Sequence, residues 1–387
     1  MTPGRPVPPA LAKPIAPAAD NTSVETKTET GLLAAAYGAV SGDSGLVPLT
    51  LARRTPGADD VEIAIEFCGL CHSDVHATRG EWGGQAYPLV PGHEIVGTVS
   101  RVGADVTEFT VGDRVGVGCM VDSCRECDSC LDGLEQYCEK GMTGTYGAND
   151  RRNGGTTQGG YSSSIVVDRR YVLRVPESLD PAAAAPLLCA GVTTFSPLRH
   201  FGVEEGDVVG VVGLGGLGHM AVKLAKAMGA QVVVFTTSEA KVAAALELGA
   251  DEVVLSRDEA AMAAANRTVD LIIDTVAAPH DLNPYFRTLR VDGALFQLGL
   301  PSEAMPPVSP GALIRRRIAY AGSLIGGIAE TQEMLDFCAE HGVVADIEMV
   351  GAGQLNEAYD RMVAGDVKYR FVLDTGTLQA PAEEADA

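Results

Sequence analysis

The chain has 387 residues, 46% hydrophobic and 21% charged, which is long enough for two globular domains with a sizeable core. Against 29 Lys and Arg it sets 51 Asp and Glu, a formal net charge of −22. That balance excludes the basic patches that a nucleic acid or an anionic membrane surface requires of a partner.

The first 30 residues are rich in Pro, Ala and Thr and hold no apolar run fit for a signal peptide or a membrane span. Residues 1–30 read as a disordered tail, and the small, acidic stretch 379–387 as a second flexible one. With no export signal, the expected compartment is the cytoplasm, where a reducing poise keeps thiols free for metals.

From Leu46 to about Val175, short β-rich stretches (VEIAIEF, IVGTVSRVG, YSSSIVV) broken by glycine predict a small, irregular β-rich body. Within it, CRECDSCLDGLEQYC places Cys124, Cys127, Cys130 and Cys138 in CxxCxxCx7C spacing. Four thiolates this close predict a bound metal, and zinc suits a cage of sulfurs at about 2.3 Å. The rival is an iron–sulfur cluster, whose bacterial signature shares CxxCxxC but brings its fourth cysteine after three residues and before proline. Here the gap is seven and Glu139 follows. Two disulfides fit poorly with nine cysteines and no secretory segment.

Upstream, CGLCHSDVH supplies Cys68, Cys71, His72, Ser73, Asp74 and His76, and PGHE supplies His93 and Glu94. APLLCAG adds Cys189 where the texture of the chain changes. A catalytic zinc keeps three protein ligands and one open position, and Cys71, His93 and Cys189 would fill such a set.

From about Gly191, DVVGVVG, LGHMAVKLAKAMGA, QVVVFTT, SEAKVAAALELGA, DEVVLS, VDLIIDTV and GALFQLG alternate as buried strand and helix, the pattern of a doubly wound parallel sheet. The first strand runs into Gly213, Leu214, Gly215, Gly216, Leu217 and Gly218 and then a helix, so GxGxxG sits where it binds a dinucleotide. The glycines allow a tight turn and close approach, and the helix N-terminus offers free N–H groups to a pyrophosphate. The second strand ends in Thr236, Thr237 and Ser238, with Lys241 beyond, instead of the carboxylate that holds ribose hydroxyls in NAD sites. Hydroxyls and a lysine donate to a 2′-phosphate, so NADP(H) is expected; Glu239 is the one nearby carboxylate that argues the other way. After ETQEMLDFCAEHG, the mixed pattern of DIEMV, NEAYDRMVAGD and KYRFVLD is expected to rejoin the first body, leaving the nucleotide unit as an insertion with a cleft beside it.

CGLCHSD, PGHEIVG, the four-cysteine loop, APLLCAG and GLGGLGHMAVKLAKAMG together resemble the zinc-dependent medium-chain alcohol dehydrogenases, specifically the cinnamyl alcohol dehydrogenase branch. The likeness extends from about Gly31 to Leu378. Two cysteines and one histidine form the catalytic set already described for alcohol dehydrogenases. The resemblance implies an α/β architecture: a Rossmann sheet (186–326) inserted in a β-rich GroES-like catalytic domain (31–185 and 327–378). It implies two zincs per subunit, a catalytic one on Cys71, His93 and Cys189 and a structural one on Cys124, Cys127, Cys130 and Cys138. Glu94 would stand behind the catalytic zinc and ligate it when the open site is empty, and Asp74 would orient the ligands.

The implied reaction is hydride transfer between NADP(H) and aldehydes or primary alcohols, with a broad aldehyde reductase favoured. The alternative is NADPH-dependent reduction of conjugated double bonds or iminium groups. Ser73 would hand a proton to the substrate oxygen, with His76 linking it to solvent. The likeness also puts Thr193 near the nicotinamide end, Gly299 and Ser323 along the cofactor cleft, Arg370 near the phosphates, and a homodimer through the nucleotide-domain sheet edges.

Other candidates carry blander readings. Cys68 and Cys338 read as small buried hydrophobes. Cys119 precedes the cysteine loop and borders either the pocket or the core. His72 either packs or serves the site, while His200, His219, His280 and His341 read as structural or exposed. Trp82, in RGEWGGQAYP, walls the pocket or simply packs.

Overall fold

The computed structural model describes residues 32–301 and 303–379. The tails expected at 1–30 and 379–387 lie outside the described residues, apart from Gln379.

Two sheets organise the molecule. The first has seven strands, in the order Ile347–Val350, Arg370–Asp374, Asp60–Gly69, Ile95–Val102, Arg114–Val117 and Leu173–Arg174, with Ser164–Asp168 also pairing with Asp60–Gly69. The stretches VEIAIEF, IVGTVSRVG and YSSSIVV form strands here, because their β-branched residues alternate between a buried face and solvent. Ile63, Ile95 and Val115 are fully buried on its inner face.

The second sheet is parallel and six-stranded: Glu252–Leu255, Gln231–Thr236, Val208–Val212, Val269–Asp274, Leu289–Gln297 and Ala319–Gly322. Its order is that of the doubly wound nucleotide-binding fold, with Val208–Val212 at the switch point. Helices on both faces explain why that strand, VVGVV, is buried at every position.

The chain crosses between the sheets on Ala190–Phe201, which begins directly after Cys189 and ends at Gly202 in the left-handed conformation (φ 79°). It returns through helix Ile328–His341 into Ile347–Val350 and Arg370–Asp374, and the latter pairs antiparallel with Asp60–Gly69 through Val372 opposite Gly69. The carboxyl-terminal strands thus close the first sheet, as the mixed pattern after ETQEMLDFCAEHG predicts.

Among the described residues, no single helix is long and apolar enough to cross a membrane. The apolar pair Pro181–Leu188 and Ala190–Phe201 is bent by 57° and nearly all buried in the core.

Candidate active site

The strand–turn–helix at Val208–Ala227 forms the first half of the cleft. Gly213 has φ 87°, open to glycine, and at Gly218 a Cβ would strike the Gly213 carbonyl. The turn therefore needs these glycines for its shape, and it leaves the helix N-terminus facing a pocket lined by Gly215, Gly216, Lys241, Arg370, His72 and Lys368. Lys241 folds back to donate from Nζ to the Leu214 carbonyl at 2.9 Å. Thr237 is exposed and Ser238 half-buried at the end of Gln231–Thr236. His72 thus serves the pocket instead of merely packing, and Lys368 joins it from a strand lead-in that carries no local signature.

The other half is a cluster drawn from three segments. Ligand atoms of Cys71, His93, Glu94 and Cys189 all lie within 4.8 Å of one another. Cys71 precedes the short helix His72–Thr78, His93 and Glu94 lead into strand Ile95–Val102, and Cys189 opens the crossing helix. Behind them sits Asp74, with no exposed surface. It accepts from the Cys71 amide (2.9 Å), the Gly92 amide (3.1 Å) and the Tyr161 hydroxyl (3.1 Å), and meets His93 Nδ1 at 3.1 Å. A carboxylate can only accept, so Nδ1 carries the hydrogen and Nε2 is left to ligate.

The electrostatics suit a cation. Burial lowers the His93 pKa, but the Asp74 carboxylate and neighbouring sulfurs outweigh it and raise it well above the ordinary value. Cys71 is held well below the usual thiol range, chiefly by a hydrogen bond from Cys189, whose own thiol is pushed up by its hydrogen bonds with Cys119 and then Cys71 and by burial. One sulfur of the pair thus already favours the thiolate that a metal needs. Burial also pushes the Glu94 carboxyl up, against the Arg370 guanidinium beside it. Glu94 pairs through Oε1 with Arg370, while its buried Oε2 has no hydrogen-bond partner among the described residues, an orphaned acceptor in a residue of the cluster.

The cysteine loop forms a separate set. The four sulfurs of Cys124, Cys127, Cys130 and Cys138 lie within 4.8 Å of one another, and Cys124 Sγ and Cys130 Sγ are 3.8 Å apart. A tetrahedron with metal–sulfur bonds of about 2.3 Å has edges of about 3.8 Å, so the spacing fits zinc and is far too long for a disulfide. Backbone amides of Cys124 and Cys127 point at Cys138 Sγ (3.3 Å) and Cys124 Sγ (3.4 Å), the donors that thiolates collect.

The remaining candidates fall into place around these sets. Ser73 Oγ is 3.6 Å from Cys71 Sγ. His76 lies one turn on, with Nδ1 against the Glu81 carboxylate and its ring 5.3 Å from that of Trp82. Glu81 was not anticipated; it follows the helix by a few residues, and only the turn after Arg79 swings it back. Trp82 is 55% exposed and covers His76. Thr193 is buried one turn after Cys189. Gly299 packs so closely on Ala277 N that a Cβ would sit 2.8 Å away. The Ser323 amide donates to the Gln297 carbonyl at 3.4 Å, at the ends of the last two strands. Cys119 Sγ reaches the Leu188 carbonyl at 3.8 Å, at the edge of the catalytic cluster, while Cys68 and Cys338 are fully buried. His219 is buried, His341 exposed, and His280 Nε2 lies 3.2 Å from Asp274.

One closed thiolate cage, one open donor set, and a glycine loop between them define a zinc-binding dehydrogenase. Residues 57–177 match the alcohol dehydrogenase GroES-like domain, and residues 216–340 match the zinc-binding dehydrogenase domain. The chain is 58% identical to aldehyde reductase YahK of Escherichia coli over 346 residues, covering 89% of this chain and 98% of that one. A cinnamyl alcohol dehydrogenase of Sorghum bicolor superimposes with a TM-score of 0.87 at 46% identity, over 92% of this chain and 100% of that structure. One from Helicobacter pylori, complexed with NADP(H), superimposes with a TM-score of 0.84 at 40% identity, over 90% and 100%. The chain belongs to the cinnamyl alcohol dehydrogenase-like branch of the zinc-dependent medium-chain alcohol dehydrogenases.

Proposed function

We propose that the protein is an NADP(H)-dependent alcohol dehydrogenase acting chiefly as a broad aldehyde reductase. The observation that carries this reading is the Cys71–His93–Cys189 set joined to the glycine-loop pocket through His72 and Arg370, with hydroxyls at the end of the second strand and Lys241 just beyond in place of a carboxylate. The aldehyde reductase of Escherichia coli and the NADP(H)-bound Helicobacter pylori enzyme support it. Bound in these sites, zinc supplies Lewis acidity to a carbonyl oxygen and NADPH supplies the hydride.

The chain's own residues do the rest. Asp74 fixes the His93 ring and, through the Cys71 amide, the position of that sulfur. Ser73 and His76 are three residues apart on one helix and so share a face. The Ser73 hydroxyl donates the proton that the reduced oxygen needs, and His76 replenishes it from solvent. Glu81 accepts at His76 Nδ1 and so leaves Nε2 free to exchange protons, while the Trp82 ring holds the imidazole in place. His72, Lys368 and Arg370 line the phosphate end of the cleft with Lys241. Glu94 would ligate zinc when no substrate occupies the open position, Thr193 borders the nicotinamide end, and Gly299 and Ser323 lie along the cofactor cleft.

We assign residues 31–185 and 327–378 to the catalytic domain and 186–326 to the nucleotide domain. A homodimer is favoured by strand Ala319–Gly322, which among the described residues pairs only with Leu289–Gln297 and so stands at the sheet edge with Tyr320 exposed. A reducing compartment such as the cytoplasm suits nine cysteines whose metal sets need free thiols.

An NADPH-oxidation screen over aliphatic, aromatic and cinnamyl aldehydes tests the reading. Turnover of several classes is expected; failure on all of them by protein carrying two zincs per chain overturns it. In the same assay Ser73→Ala should lose most turnover and keep both metals, and undiminished turnover would remove Ser73 from the relay.

A further inference from the structure

The cysteine loop does more than close on itself. Its carboxyl-terminal half, Gly133–Tyr137, grips the segment by which the chain leaves the parallel sheet. The Leu324 amide donates to the Tyr137 hydroxyl at 3.1 Å, and the Ile328 amide donates to Glu135 Oε2 at 3.1 Å. Ile328 is the first residue of helix Ile328–His341, so Glu135 serves as its cap from a segment nearly two hundred residues earlier. Between these anchors Gly327 lies so close that a Cβ would strike the Gly133 carbonyl and sit 2.8 Å from Glu135 Oε2. On the opposite side, Gly326 packs on Val192, three residues after Cys189.

The gripped segment is not relaxed. Ile325 has φ 36° and is 8% exposed. A β-branched residue with positive φ is an outlier that persists only where its surroundings over-determine it. Here the surroundings are the cysteine loop on one side and the crossing helix of Cys189 on the other. The strained residue directly follows Ser323 and Leu324, just past the carboxyl end of the last parallel strand, the end at which such sheets bind their ligands.

We propose that Tyr137 and Glu135 are positioning residues for the reaction: the cysteine loop holds Ser323–Gly327 in the strained conformation that shapes the nicotinamide end of the cleft. Zinc held by Cys124, Cys127, Cys130 and Cys138 would steady this loop, and the loop's Tyr137 and Glu135 pass that order to the cleft through two hydrogen bonds. This rests on the reading of the cleft as an NADPH site.

The test compares wild type, Tyr137→Phe, Glu135→Ala and Glu135→Gln, each confirmed to carry two zincs per chain. Tyr137 is 45% exposed, and its replacement removes only a hydroxyl. Amide hydrogen exchange of the peptide spanning residues 319–330 is expected to speed up about tenfold in Tyr137→Phe and Glu135→Ala, as local opening of a loosened segment does. NADPH Kd should rise by about fivefold to tenfold in the same two variants, the loss of about one hydrogen bond's ordering, with Glu135→Gln, which keeps an acceptor, near wild type in both measurements. Unchanged exchange in Tyr137→Phe and Glu135→Ala overturns the proposal. So does faster exchange with unchanged NADPH affinity, which would leave the contacts purely structural. Wild-type protein that fails to bind NADPH at all defeats the prior reading of the cleft instead, so the two failures are distinct.

Discussion

Glu94 and Arg370 meet as a buried ion pair, 276 residues apart in sequence, and Glu94 also contributes a carboxylate oxygen to the catalytic cluster. Arg370 also presses on the glycine loop, where a Cβ at Gly216 would sit 2.8 Å from its Nη1. The same guanidinium is thus shared between the back of the metal set and the front of the phosphate site. Removing it should do two separable things. Arg370→Met leaves an uncompensated buried carboxylate, which costs about 3–5 kcal/mol, and it also removes a phosphate donor. Adding Glu94→Gln should recover most of the lost thermal midpoint without restoring NADPH affinity. If the double variant regains affinity along with stability, Arg370 has no role at the phosphates.

The two donor sets should separate cleanly under metal counting. Cys127→Ala opens the cage and should leave one zinc per chain and a markedly lower thermal midpoint, because structural metal binding contributes to folding. Cys189→Ala should also leave one zinc per chain, but with the fold retained and aldehyde reduction abolished. Mass spectrometry of the intact zinc-loaded variants, beside a melting curve, reads both. Two zincs retained in either variant would contradict the ligand assignment.

Cofactor preference should turn on Lys241, whose ammonium lies 2.9 Å from the glycine-loop carbonyl of Leu214. Lys241→Ala is expected to weaken NADPH binding by about tenfold, the scale of one charge-assisted hydrogen bond, and to leave NADH affinity unchanged. Fluorescence titration with each nucleotide checks this. Equal losses for both would move Lys241 from the 2′-phosphate to the part of the cofactor that the two share.

The glycine loop and the cysteine cage are legible in the sequence because each is local: a handful of neighbouring residues fixes both the backbone and the chemistry. Cys71, His93 and Cys189 are chemically matched but scattered, so residue types nominate them and family likeness joins them; the fold alone brings their donor atoms within 4.8 Å. Other relationships have no local signature at all. Arg370 opens a strand that reads only as KYRFVLD, and nothing in it marks Glu94 as its partner. Glu81 reads as a surface carboxylate until the turn after His72–Thr78 folds it onto His76. Tyr137 and Glu135 look like loop filler between cysteines, and their partners lie 187 and 193 residues away. Long-range hydrogen bonds to backbone amides leave no trace in composition or period, which is why these contacts emerge only from the folded chain.

His219 sets an acid limit on the fold. It is fully buried behind the glycine loop, its ring stacked on Tyr369 at 5.0 Å and 15°, with Nδ1 at 3.3 Å from the Gly215 carbonyl and Nε2 without a hydrogen-bond partner. Burial, reinforced by Arg370 and Lys223, lowers its pKa from 6.5 to about 3. The unfolded chain therefore binds a proton that the folded chain refuses. The stability carried by neutral His219 is fully present above 6.5 and is lost progressively as pH falls from there toward about 3. Carried to its limit, the gap is worth about 5 kcal/mol. His219→Phe keeps an aromatic ring on Tyr369 and removes the titration. It should lower the midpoint at neutral pH through the lost contact to Gly215, yet lose less than wild type between about pH 7.5 and pH 5. Thermal melts across that interval, on zinc-loaded protein without nucleotide, decide the matter: parallel curves for the two proteins would assign the acid sensitivity to other groups.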